Sequence, residues 1–153
     1  MANTFTQIHI HVVFAVQNRQ SLILENWEFR LYKYITAIIQ AKGHKVLAIG
    51  GMPDHIHILI GWRPEYAISD LMRKVKSESS KWINENKFVL GKFSWQEGYG
   101  AFSYSKSQVP RVIKYVLQQK LHHKSKTFID EYKKILTELG IQFDERYLFH
   151  NIE

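Results

Sequence analysis

Residues 6–17, TQIHIHVVFAVQ, begin by alternating polar and apolar positions and end almost wholly apolar, with many β-branched and aromatic side chains. That pattern predicts a central β-strand. From Asn26 to Lys42 the apolar residues Trp27, Leu31, Tyr34 or Ile35, Ile38 and Ile39 recur at helical spacing, and Gly43 supplies a C-terminal stop. His44–Gly50 and His55–Trp62 read as two strands joined by the turn residues Gly51-Met52-Pro53-Asp54, a hairpin. A second amphipathic helix runs from Ile68 to about Asn86, with Ile68, Leu71, Met72, Val75, Trp82 and Ile83 as its stripe. Phe93–Ser105 is aromatic and punctuated by glycine, which predicts an irregular strand with a bulge or close approach near Gly98 and Gly100.

Two further helices follow. Ser107 is the expected cap of a helix from Gln108 to about Lys120, with Pro110 in its first turn and a core stripe of Val109, Val112, Ile113, Val116 and Leu117. Thr127 with Asp130 predicts the start of the last helix, whose stripe is Phe128, Tyr132, Ile135, Leu136 and Leu139, ended by Gly140. The order βαββαβ plus two helices is that of an α+β, ferredoxin-like antiparallel sheet carrying its first two helices on one face.

A chain of 153 residues with 45% hydrophobic content accommodates one sizeable core, so one domain over 1–153 is expected. The absence of cysteine excludes disulfides and thiolate metal sites. No signal peptide or membrane-length apolar run is present, so a soluble, cytoplasmic protein with no membrane partner is expected. The net charge of +7 favours a polyanionic partner, nucleic acid first. On the second helix Arg73, Lys74 and Lys76 are candidates for phosphate contacts, with a merely solvated face as the alternative.

The chemistry concentrates in Met52–Ile60, MPDHIHILI, where His55 and His57 point to one face of a strand just after a turn. Two imidazoles so placed can hold one divalent metal, with a carboxamide or carboxylate completing the site. Spacing alone is weak evidence: with 8 histidines in the chain, about 0.4 such triplets arise by chance. A second triplet, His9-Ile10-His11, lacks a preceding turn and is read as packing or as flanking the site. Tyr115 and Gln119 lie four apart on the helix from Gln108 and project together, towards the histidines if that helix covers their face of the sheet. Tyr32, Tyr34, Tyr132 and Tyr147 fall within packing patterns instead.

The stretches MPDHIHILI, WQEGYGAFSYS, and YVLQQ followed by HH resemble the single-tyrosine HUH transposases (TnpA) of the smallest bacterial insertion sequences, REP-associated tyrosine transposases included. The likeness extends from VVFAVQNRQ in the first strand to ERYLFH near the C-terminus. It implies a catalytic core over about 5–106, followed by the tyrosine helix and a C-terminal helix over about 107–153. It also implies His55, His57 and Gln119 as ligands of Mg²⁺ or Mn²⁺ and Tyr115 as nucleophile. The substrate implied is single-stranded DNA with hairpin-flanked ends, cut through a 5′-phosphotyrosine intermediate. A homodimer is implied as well, its sites combining histidines from one subunit with tyrosine from the other. Tyr104 departs from the smaller residue expected after Phe102-Ser103. His122, three residues beyond Gln119, is an alternative third ligand or a phosphate contact.

The elementary chemistry agrees with such a role. A phenol of pKa about 10 is only about 0.1% ionised at pH 7, so attack on a phosphodiester needs a cation to polarise the phosphate. Two alternatives stay open at this point. One is a non-catalytic module that binds single-stranded nucleic acid; the other is a metal-dependent nuclease that uses water and dispenses with Tyr115.

Overall fold

The computed structural model describes residues 4–122 and 127–143, leaving aside the side chain of His122. Strands β1 (His9–Ala15), β2 (Lys45–Met52), β3 (His55–Gly61) and β4 (Gly100–Tyr104) form one sheet in the order β2-β3-β1-β4. Every neighbouring pair is antiparallel. Helices α1 (Glu25–Ala41) and α2 (Ile68–Glu85) connect the strands in βαββαβ order, and α3 (Val109–Leu117), α4 (Gln119–His122) and α5 (Phe128–Glu138) follow. The fold is the expected α+β, ferredoxin-like one.

Alternation along the strands divides the molecule into two layers. Ile10, Val12 and Phe14 of β1 and Ile56, Ile58 and Ile60 of β3 pack with Trp27, Leu31 and Ile35 of α1 and Leu71, Met72 and Val75 of α2. The intervening residues face the other way. Val13 and Ala15 meet Phe128, Tyr132 and Leu136 of α5, while Leu59 and Ala48 meet Val112 and Val116 of α3. This second layer contains the histidines.

Several boundaries differ from expectation, each for a local reason. The hairpin is tighter than the four residues read from the sequence: Met52 pairs with His55, so only Pro53 and Asp54 turn. Phe93–Ser105 is regular only over β4, although an isolated bridge joins Val16 to Trp95. Near its start Gly98 has φ 86°, and a Cβ on Gly100 would collide with the Tyr132 side chain, so both glycines are needed where they stand. Ser105, rather than Ser107, caps the approach to α3: its backbone N–H donates to Gln108 Oε1 at 2.9 Å, closing a 3₁₀ turn over Lys106–Gln108. Thr127 caps α5 as expected by accepting from the Asp130 N–H at 3.2 Å.

The predicted helix from Gln108 to Lys120 is interrupted. Gln118 departs from helical geometry at φ −106° and ψ 28°, so Tyr115 ends up in α3 and Gln119 opens α4. No glycine or proline breaks the chain there; tertiary contacts of Gln119 and Lys120 do. Lys120 Nζ lies 2.6 Å from Glu28 Oε1 of α1, which fastens α4 to the far helix layer. The packing stripe is also narrower than read, because Leu117 is exposed. Tyr147 and the ERYLFH stretch lie outside the described residues.

Candidate metal and nucleophile site

β3 opens directly from the Pro53-Asp54 turn, so His55 and His57 emerge on the face opposite Ile56 and Ile58, both fully buried. Each imidazole has its Nδ1 engaged away from the centre of the site. Asp54 Oδ1 sits 2.7 Å from His55 Nδ1, and Asp54 Oδ2 accepts from Arg19 Nη2 at 2.8 Å. Burial would raise the Asp54 carboxyl, but the His55 and Arg19 partners outweigh it and hold the group at about 2. Arg19 reaches this position from a backbone with φ 59°, a sparsely populated conformation for a residue with a side chain. Its guanidinium also lies over the Phe128 ring, 4.4 Å from the centroid.

On the other imidazole, His57 Nδ1 meets His11 Nε2 at 2.8 Å. Burial, then the neighbouring His57, push His11 well below the ordinary imidazole value. A neutral His11 can accept the His57 Nδ1–H through Nε2 and keep its own proton on Nδ1, which has no hydrogen-bond partner among the described residues. Both His55 and His57 are then left with Nε2 directed inward, the arrangement typical of metal-ligating histidines held by outer partners.

The inward nitrogens face oxygen. His55 Nε2 is 3.2 Å from Gln119 Oε1, His57 Nε2 is 3.0 Å from Glu131 Oε1, and the same Glu131 oxygen is 3.6 Å from His55 Nε2. Gln119 and Glu131 are both buried. Ligand atoms of His55, His57 and Glu131 all lie within 4.8 Å of one another, a grouping that could hold a metal ion. At metal–ligand distances of about 2.1 Å, neighbouring donors of an octahedral ion stand about 3 Å apart, so these residues suit a divalent cation such as Mg²⁺ or Mn²⁺.

Tyr115 stands beside this cluster in the same chain. Its ring meets His57 edge-on, with centroids 5.6 Å apart, and lies 6.3 Å from His11. Burial raises the phenol above its ordinary value, the nearby Glu131 raises it further, and a hydrogen bond with Gln119 opposes them. Gly50 makes this placement possible. It pairs with His57 across the sheet, and a Cβ there would overlap the Val116 carbonyl, so α3 can sit directly on β2 only because the side chain is missing. A cavity of about 330 Å³ opens beside the phenol, lined by His11, Tyr104, Gln108, Arg111 and Tyr115 among others. Tyr104, the residue larger than expected, narrows it.

The structure thus brings together His55, His57, Gln119 and Tyr115, and adds Glu131 and His11. Glu131 was missed because α5 was read only for its apolar stripe. The signal was nevertheless present, since an acid three residues after Phe128 and beside Tyr132 falls on the buried face. His9 is only half-buried and belongs to no ligand grouping found among the described residues, so the triplet's partner residue His11 alone joins the site. The predicted phosphate contacts lie elsewhere. Arg73 pairs with Asp70 and Lys74 with Glu78 on the exposed side of α2, while Lys76 Nζ donates to the Gln96 carbonyl at 2.8 Å and also to that of Gly98. His122 ends α4; its side chain is outside the described residues.

No helix among the described residues is long and apolar enough to cross a membrane. The family described as "Transposase IS200 like" matches residues 4–119. The ISDra2 transposase TnpA of Deinococcus radiodurans is 23% identical over 118 residues, covering 74% of this chain and 84% of that protein. Two solved structures share the fold. A putative transposase from Deinococcus radiodurans aligns with TM-score 0.62 at 19% identity, over 74% of this chain and 92% of the other. A REP-associated tyrosine transposase bound to a REP hairpin aligns with TM-score 0.61 at 14% identity, over 79% of this chain and 72% of the other. With its family match spanning the sheet, its helices α1 to α3 and both site histidines, the chain belongs to the IS200-like transposases.

Proposed function

We propose that this transposase cleaves and rejoins single-stranded DNA through a 5′-phosphotyrosine on Tyr115, with a divalent metal held by His55, His57 and Gln119. The observation that carries the reading is the packing of the Tyr115 ring against His57, with Gln119 Nε2 donating to the Tyr115 carbonyl and Gln119 Oε1 3.2 Å from the inward Nε2 of His55. A metal bound there would polarise the scissile phosphate and neutralise charge gathering on its oxygens. The chain's own residues do the rest. The phosphate enters through the cavity beside Tyr115, where Arg111 offers a positive charge. The phenol oxygen attacks phosphorus as the bond to the 3′ oxygen breaks; the departing oxygen takes a proton from solvent to become a 3′-hydroxyl, and the other strand end stays joined to the enzyme. The Glu131 carboxylate, hydrogen-bonded to the phenol, is a ready acceptor for its proton. The phosphotyrosine keeps the energy of the bond it replaced, so a 3′-hydroxyl can later displace Tyr115 and rejoin strands without ATP.

Burial and the nearby Glu131 raise the phenol above its ordinary value, so attack by Tyr115 requires a proton acceptor and a cation at the phosphate. The relative bound to a REP hairpin supports hairpin-bearing single strands as the substrate. The homodimer implied by the resemblance is retained in this proposal, but His57 and Tyr115 of one chain already stand together, which supports cleavage within each subunit.

Tyr115→Phe tests the reading, since it removes one oxygen and keeps the ring against His57. We expect the wild type, given Mn²⁺ and a hairpin-bearing single strand, to form a protein–DNA adduct stable to boiling in detergent and mapping to Tyr115; the variant should fold and form none. Cleavage without an adduct would establish the water-using nuclease, and binding with no cleavage by the wild type would leave the non-catalytic module. Mixing His57→Ala with Tyr115→Phe protein should stay inactive if each chain completes its own site. Restored cleavage would show the tyrosine acting across a dimer.

A further inference from the structure

We propose that Glu131 is itself a ligand of the metal, so that α5, which lies beyond the residues matching the family, completes the metal site. The inference rests on the reading that His55 and His57 hold a divalent cation, and it adds an anionic ligand to a set otherwise made of neutral imidazoles and a carboxamide.

The geometry is that of donors facing one point. Glu131 Oε1 is 3.0 Å from His57 Nε2 and 3.6 Å from His55 Nε2, and Gln119 Oε1 is 3.2 Å from His55 Nε2. Those separations start at, and run somewhat above, the spacing of about 3 Å between adjacent donors on a six-coordinate Mg²⁺ or Mn²⁺. A hard cation prefers carboxylate oxygen to nitrogen, so a site of two histidines and a carboxamide gains from this residue in affinity and in selectivity for Mg²⁺ and Mn²⁺ over softer ions.

Burial strengthens the argument. Glu131 is only 6% exposed, which sets its carboxylate at the same depth as the two imidazoles it faces. Its helix is fixed at that depth by contacts that do not involve the carboxylate. Phe128 stacks on His55 with centroids 4.2 Å apart and on Tyr132 at 5.5 Å, while Tyr132 and Leu136 fill the layer under Val13, Ala15 and Phe102. The acid is therefore carried to the ligand position by a helix that packs on its own account. With Glu131 counted, His55, His57, Gln119 and Glu131 would hold the cation, which would supply positive charge to the phosphate.

Metal binding by the full-length protein, measured without DNA, tests this directly. Mn²⁺ is titrated into the wild type and the variants, and the unbound ion is followed by electron paramagnetic resonance. We expect one site in the wild type and none in His57→Ala. Glu131→Gln and Glu131→Ala should each weaken binding by at least about tenfold, the loss that follows removal of even an outer partner of a metal ligand. Glu131→Asp, which keeps charge and donor, should bind more tightly than Glu131→Gln. The isosteric Gln variant, checked by thermal melting, guards against loss of the fold as the cause. Wild-type or tighter affinity in Glu131→Gln would overturn the proposal and make α5 a cover over the site. A wild type that binds no Mn²⁺ would overturn the metal reading itself.

Discussion

From β3, Ile56, Ile58 and Ile60 point into a layer closed by α1 and α2, where their neighbours are other aliphatic and aromatic side chains. From the same strand, His55 and His57 point the opposite way, into a layer where two more acceptor-bearing side chains, Gln119 and Glu131, are buried with them. A two-residue side-chain period thus gives one strand an apolar face that packs and a polar face that gathers the candidate site. The difference teaches how the polar face is matched. Buried polar groups tolerate no loose geometry, because each must be matched, and here the matching is supplied by Asp54, Arg19 and His11 behind the imidazoles. The apolar layer on the far side holds the strand still while they do so.

The largest expected effect separates the two faces by adjacent residues. Ile58→Ala should lower stability by about 2–5 kcal/mol in denaturant melts while the folded fraction still binds Mn²⁺. His57→Ala should do the reverse. It should abolish metal binding and strand cleavage with a smaller loss of stability, because burying an imidazole carries a desolvation cost that offsets part of its packing. Equal destabilisation by both, or metal lost from folded Ile58→Ala, would mean that the faces do not divide the labour.

How much of this was legible follows the same division. Both helices of the apolar layer and the first three strands lay open in the sequence, in helical spacing such as Leu31 and Ile35 and in apolar runs such as Ile56–Ile60, while β4 was legible only as part of a longer irregular stretch. His55 and His57 were legible through the turn before them, and Tyr115 with Gln119 through their spacing. The supports were not. His11 was read as packing or a flanking residue since nothing local ties it to His57, 46 positions away. Glu131 could be placed on the buried face of α5 from its spacing, but nothing local says that this face meets His57, and the break at Gln118 has no local breaker at all. These features depend on which distant segments meet, and a lone sequence carries periodicity far better than it carries such meetings.

Gly50→Ala is the next test, and it acts on the seam between the layer holding the candidate site and the sheet. The added methyl would strike the Val116 carbonyl, forcing α3 away from β2 and Tyr115 away from His57. Cleavage should fall by roughly a hundredfold, the scale of a displacement of about 1 Å at a reacting group, while Mn²⁺ binding falls far less. Unchanged cleavage kinetics would show that α3 can shift without moving the phenol, and that the close seat on Gly50 serves packing alone.

The smallest effect sharpens the contrast from the apolar side, where α2 turns its outer surface to solvent. Arg73 and Lys74 are exposed there and, among the described residues, paired with neighbours on their own helix, an arrangement of little energetic worth that a phosphate can displace. Lys76 is different, because its ammonium already donates to the carbonyls of Gln96 and Gly98. If a bound strand wraps from the site over the edge of the sheet onto α2, replacing Arg73 or Lys74 by Ala should flatten the logarithmic salt dependence of binding by about 0.7 for each cation removed. Lys76→Met should leave that slope unchanged and instead lower the melting temperature, having lost two internal hydrogen bonds. A slope that ignores Arg73 and Lys74 would confine the DNA to the reactive face, whereas one that follows Lys76 would mean that the clasp on the loop opens when DNA binds.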